Sequence, residues 1–329
     1  MKKYLSFGIK AVISIGLIWY LLSKTEFPAI YTSIKSASLA WLCLSFLTLY
    51  IGKILTSYRW QILLMAQGIN LPLRSLIASV FVGQFFNSFL PTTVGGDAIR
   101  AYDTASQSKE SAKSVMSVFA DRMIGVFALA LLAILALGIG YLSGEDVSFY
   151  TWPVLGVFTI CSLGMFMIYN DRLIVSGETL LSRLKASRLV EKLDKAYQSL
   201  YLLRDRPRVM VQALIISILL QINVVLFYYF IGVALDLEVS WLYFTMIVPV
   251  ALVVLLVPFS INGIGIREGI FVFLLTNLGV PAEESLALSL ISFGLMLTQG
   301  IIGGLIFAFR GTPIQRTDTV QNISPKSYQ

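Results

Sequence analysis

The sequence predicts an all-α, polytopic helical membrane protein, with about six full spans and two opposed re-entrant helical hairpins that form an inverted repeat. Three observations predict it. Apolar residues make up 57% of the 329-residue chain and charged residues only 13%, whereas soluble domains run near 25% charged; the mean hydropathy is +0.81. The apolar residues gather into runs close to the ~20 residues that a helical crossing needs. One pattern also occurs twice, as LPTTVGGDAIR at 90–100 and VPFSINGIGIR at 257–267. Aligned without gaps, Pro91 falls on Pro258, Gly96 on Gly263, Ile99 on Ile266 and Arg100 on Arg267.

The first expected span is 5–22, preceded by Lys2 and Lys3. It lacks a small-residue cleavage site and further spans follow, so it reads as a retained helix and not a signal peptide. A second span at 39–56 ends in a basic stretch with Lys53, Arg59 and Arg74. The apolar piece at 75–90 is short for a crossing and runs into Pro91. Beyond the first motif, a polar stretch at 103–113 leads to an apolar helix at 114–141 that carries Asp121 and Arg122 in its first half. An acidic link with Glu145 and Asp146 precedes a span at 152–169. Residues 171–208 hold more Lys and Arg than Asp and Glu, and Leu180, Leu184, Leu193, Tyr197 and Tyr201 recur at helical spacing. That region reads as an amphipathic cytoplasmic connector, either a membrane-interface helix or a solvated helical hairpin.

The second half repeats the plan. A span at 209–234 is followed by a link with Asp236 and Glu238, a short apolar segment at 241–257, the second motif, and another short segment at 269–280. An acidic turn with Glu283 and Glu284 then opens the last span, 286–309. One transmembrane domain, 1–310, thus contains repeats at 39–141 and 209–309, and 311–329 is a polar, disordered tail. Basic segments mark the cytoplasmic side and acidic links the external one. Both termini are therefore expected in the cytoplasm. The first short pair enters from the cytoplasm and the second from outside, and the setting is a bacterial or archaeal cell membrane.

Composition also excludes chemistry. The chain has no histidine, which removes histidine bases, Ser-His-Asp triads and histidine metal ligands. Cys43 and Cys161 stand singly in apolar runs, so neither a metal nor a cofactor is expected. The net charge of +7 lies in loops, as an anionic leaflet favours, and not in a nucleic-acid surface. No Asp-x-Asp pair lies near the motifs, and a non-enzymatic role is expected.

Each motif delivers an arginine where one costs roughly 2.5–3.5 kcal/mol at a helix centre. Interrupted helices in matching positions of two halves point to a transport site. The guanidinium fork suits phosphate oxygens, and a helix starting after Gly96 or Gly263 adds N–H donors and a positive dipole end. The competing reading pairs Arg100 with Asp97 or Asp103, and Arg267 with Glu268, merely to neutralise buried charge. The candidate substrate-binding residues are Asn87, Gly96, Asp97, Arg100, Asp121, Arg122, Asn262, Gly263, Gly265, Arg267 and Glu268. Glu268 reads equally as a proton-coupling carboxylate. Gln84, Gln221, Asn223 and Gln299 read as interhelical hydrogen-bond partners, and the aromatic cluster from Phe227 to Phe230 as packing or an interfacial anchor.

At these residues a family resemblance emerges. GQFFNSFLPTTVGGDAIRAY at 83–102, SVFADRMIGV at 117–126 and PFSINGIGIREG at 258–269 resemble the lysylphosphatidylglycerol synthase transmembrane-region family, the flippase-like domain also found in the bacterial multiple peptide resistance factor. The resemblance implies translocation of an anionic or aminoacylated phospholipid, or of a lipid-linked phosphate, between leaflets. It carries over to Pro91, Gly95, Gly96, Asp97, Arg100, Asp121, Arg122, Gly263, Gly265, Arg267 and Glu268. The soluble aminoacyl-transferase domain of the resistance factor has no counterpart here, which argues against lipid aminoacylation by this chain. The expected partner is a membrane lipid with a phosphate headgroup and no nucleic acid; a homo-oligomer and a cytosolic lipid-modifying enzyme stay open as further partners. Two other functions also stay open: a secondary transporter of a soluble organic anion, and a non-catalytic membrane subunit of a lipid-carrier glycosylation system.

Overall fold

The computed structural model describes residues 27–89, 95–169, 206–256 and 263–310, with side chains withheld at 164–169. The expected first span, nearly all of the connector, the tail, both motif prolines and Asn262 lie outside the described residues. Among the described residues the chain forms ten helices and no strand: α1 Phe27–Ser36, α2 Leu39–Ala66, α3 Leu73–Phe89, α4 Gly95–Ser108, α5 Ser111–Leu142, α6 Ser148–Tyr169, α7 Pro207–Ala234, α8 Trp241–Leu256, α9 Ile266–Thr276 and α10 Ala282–Phe309.

Four of these, α2, α5, α7 and α10, are long and apolar enough to cross a membrane. Their sequences are apolar around the whole helix, as a segment flanked by both lipid and protein requires. In α6 the apolar stretch Ser148–Leu163 is shorter. α2 runs ten residues beyond the expected end at 56. Lys53 and Arg59 therefore lie inside a helix and not in a cytoplasmic loop, a correction to the charge assignment made from sequence.

The short segments do fold back. α3 and α4 have 17 and 14 residues, too few to span alone, and they run antiparallel against each other. Ser75 Oγ donates to Gln107 Oε1 at 2.9 Å, Ser79 Oγ to Asp103 Oδ2 at 2.9 Å, and the Gly96 N–H to Asn87 Oδ1 at 2.7 Å. Partner numbers fall as the others rise. Near the turn, a Cβ on Gly83 would sit 2.9 Å from the Gly96 carbonyl oxygen, so the small residues let the two backbones approach. α8 and α9 form the second short pair, with 16 and 11 residues, and pack on each other.

Packing between elements survives an exchange of halves. α3 lies on α10, while its counterpart α8 lies on α5, the counterpart of α10. Likewise α4 packs on α5 and α9 on α10, and α2 packs on its counterpart α7. The α3–α10 seam is the tightest. It is carried by Gly300, Gly303 and Gly304 of α10, which face Ser88, the Phe81 backbone and the Phe85 ring respectively.

The largest apolar core lies on the α5–α7–α8–α9–α10 side, where Phe271 stacks on Tyr228 at 4.8 Å and Tyr150 Oη donates to the Leu274 carbonyl at 2.8 Å. Polar side chains tie helices across this apolar mass. Gln221 donates to Gly125 O, Asn223 to Thr48 O and Gln299 to Leu49 O, at 2.8–2.9 Å. Each amide is thereby partnered where no water competes. At the opposite end of α5, Tyr243 Oη donates to Glu145 Oε2 at 3.1 Å.

Candidate functional site

The turn of α4 places Asp97 and Arg100 three residues apart on one helical face, and that face meets α2 and α5. Arg100 Nη2 lies 2.9 Å from Asp121 Oδ2, and Arg59 Nε lies 2.7 Å from the other oxygen, Asp121 Oδ1. Asp97 sits between Arg122, at 2.6 Å, and Arg100, at 3.5 Å. The result is an alternating chain: Arg59, Asp121, Arg100, Asp97, Arg122. Asp121 is only 2% exposed and Arg100 8%, so these charges lean on each other and not on solvent.

Further contacts hold the arginines in place. Arg59 Nη1 donates to Ser217 Oγ at 2.8 Å, while the Arg100 guanidinium lies 4.2 Å above the Trp60 ring, whose Nε1 donates to Ser117 Oγ at 3.0 Å. A cation over an indole face gains electrostatically from the ring quadrupole. Arg100 Nε is buried and has no hydrogen-bond partner among the described residues.

Across from this chain, α9 contributes Arg267, 7% exposed, with its guanidinium 5.0 Å from the Phe293 ring centre. Arg267 and the members of the charged chain line one cavity of about 400 Å³, together with Asn87, Gln84, Thr56, Gln221, Tyr228 and the apolar side chains of Leu252, Leu255 and Met296. That volume is within the usual range for small-molecule sites. A second compartment of about 240 Å³ shares Thr56, Gln84, Leu252 and Met296 with it; Lys53 lines this one and donates to Gln84 Oε1 at 2.7 Å.

Of the residues expected from sequence, Asn87, Asp97, Arg100, Asp121, Arg122 and Arg267 come together around the cavity. Gly96, Gly263, Gly265 and Glu268 are not on its wall. Gly263 and Gly265 have φ values of +76° and +86°, a conformation glycine adopts without steric cost, and they shape the turn that delivers Arg267. Glu268 accepts from the Gly265 N–H at 2.5 Å and from Ser289 Oγ at 3.4 Å. Two expectations therefore change. The N–H groups at Gly96 and Gly265 are engaged by Asn87 and Glu268, so those donors are not presented to an anion. Asp103 is not the partner of Arg100; it joins Arg310 at 2.7 Å and Ser79. Asn87→Ala removes the acceptor of the Gly96 N–H and should lower stability by about 0.5–1.5 kcal/mol, read as a small drop in the unfolding midpoint of the detergent-solubilised protein.

With this geometry in view, comparison with known families matches residues 8–304 to the family described as the lysylphosphatidylglycerol synthase TM region. The chain belongs to this family. No curated protein matches it in sequence. The match takes in every described helix and both motifs, and it fits a multi-pass membrane protein.

In this lysylphosphatidylglycerol synthase TM-region protein, sequence reasoning missed Arg59 and Lys53 as site residues. The available signal was the apolar run from Ile62 to Ala66 beyond them, which extends the helix past both cations.

Proposed function

We propose that this protein is a lipid translocase, and not an enzyme, that moves a phosphate-bearing lipid between the two leaflets. The reading is carried by one observation: Arg100 and Arg267, the equivalent residues of two repeats, line the same buried cavity. Arginine at membrane depth is costly unless partnered, and guanidinium forks match phosphate oxygens in charge and geometry. Headgroup phosphate enters between the halves while its chains stay in lipid. The two hairpins then open the cavity to one face and to the other in turn, as in transporters built from inverted repeats. The family's lipid context supports the same reading.

Lipids retained through purification test this. Wild type is compared with the folded Arg100→Gln, Arg267→Gln double variant by mass spectrometry. Asp121 keeps Arg59 as its partner in that variant, so the fold is expected to persist. Two lost charge-assisted contacts, worth about 1.5–3 kcal/mol each, predict that one phosphate-bearing lipid, enriched in wild type, falls at least ~10-fold in the variant. Equal retention of bulk lipid by both proteins would count against the reading.

A further inference from the structure

The charge on the cavity wall narrows the class of lipid. Four arginines, Arg59, Arg100, Arg122 and Arg267, face two carboxylates, Asp97 and Asp121, which leaves a surplus of two positive charges. Just off the wall, Lys53 and Glu268 offset each other. The motif residues at 90–94 and 257–262, LPTTV and VPFSIN, carry no ionisable side chain and leave this balance unchanged. Unbalanced charge held away from water is costly, so the favoured ligand cancels the surplus.

Headgroups differ sharply by this measure. A zwitterionic headgroup cancels none of the surplus and a phosphodiester such as phosphatidylglycerol cancels half, while a lysyl ester of that lipid adds a positive charge. A terminal phosphomonoester carries about −1.5 to −2 at neutral pH and offers three acceptor oxygens. The adjoining compartment of about 240 Å³, walled by Leu49, Leu220, Val224 and Phe227, gives the first carbons of an attached chain an apolar seat. We propose that the cavity selects lipids whose phosphate headgroup is doubly negative, the source being a lipid and not free phosphate. This rests on the translocase reading.

The test is native mass spectrometry of the full chain in detergent. Phosphatidic acid, a polyprenyl monophosphate, phosphatidylglycerol, lysylphosphatidylglycerol and phosphatidylethanolamine are each added at the same concentration. At pH 7.5, one or both phosphomonoester lipids should occupy the protein at least ~10-fold more than phosphatidylglycerol. The gap should shrink at pH 5, below the second phosphate pKa of about 6. Phosphatidylglycerol or its lysyl ester binding as well as the phosphomonoesters would overturn the inference and leave the translocase reading in place. Binding no better than phosphatidylethanolamine by all four would sink both. Displacement of the lipids by an equal concentration of inorganic phosphate would overturn the lipid source.

Discussion

Replacing Asp121 with asparagine is expected to destabilise the protein by about 3–5 kcal/mol, the cost of stranding buried charge when one partner of an ion pair is removed. Asp121 holds Arg59 with one oxygen at 2.7 Å and Arg100 with the other at 2.9 Å, at 2% exposure. An amide of the same shape cannot balance two guanidinium groups. A large fall in the unfolding midpoint of the purified protein is therefore predicted. Adding Arg59→Met removes one stranded cation, so the double variant should be more stable than the two single losses sum to, as contacting residues in one network require. An Asp121→Asn protein as stable as wild type would mean that solvent, and not this carboxylate, balances the arginines.

Gly303→Ala is the second large effect. Gly303 of α10 faces the main chain of α3, and a Cβ there would overlap the Phe81 carbonyl. A backbone atom cannot rotate aside, so α10 must move away from the hairpin. Overpacking of this kind typically costs about 1–3 kcal/mol. Gly294, also on α10, faces open space, and Gly294→Ala is the matched control expected to leave stability nearly unchanged. Unfolding midpoints of the two variants are compared directly; an equal shift in both would show that the α3–α10 seam tolerates a wider gap. Because α3 also delivers Gln84 and Asn87 to the cavity, Gly303→Ala should weaken lipid retention as well.

Much of the architecture was legible because it was written twice. Arg100 and Arg267 could be paired from the repeat alone, and the short lengths of 75–90 and 241–257 announced segments that turn back. Arg59 was not legible in the same way. Its partner Asp121 lies 62 residues further on, so nothing local marks the pair, and a cation following eighteen apolar-rich positions looks like a loop anchor. Lys53 was misplaced for the same reason. The capping role of Asn87 depends on the hairpin bringing residue 87 to residue 96, a contact that only tertiary folding creates. The role of Glu268 was nearer the surface of the sequence. A glycine followed three residues later by glutamate is the spacing of a helix-start capping box, and α9 has it.

Movement of lipid is best measured directly, with the protein reconstituted into vesicles that carry a labelled phosphatidic acid whose outer-leaflet fraction is followed by quenching. Wild type should speed exchange of the label between leaflets far above protein-free vesicles, and the Arg100→Gln, Arg267→Gln variant should return it to the protein-free rate. Exchange at the same rate with both proteins, or none with wild type, would contradict a central arginine site that carries a phosphate headgroup across the membrane.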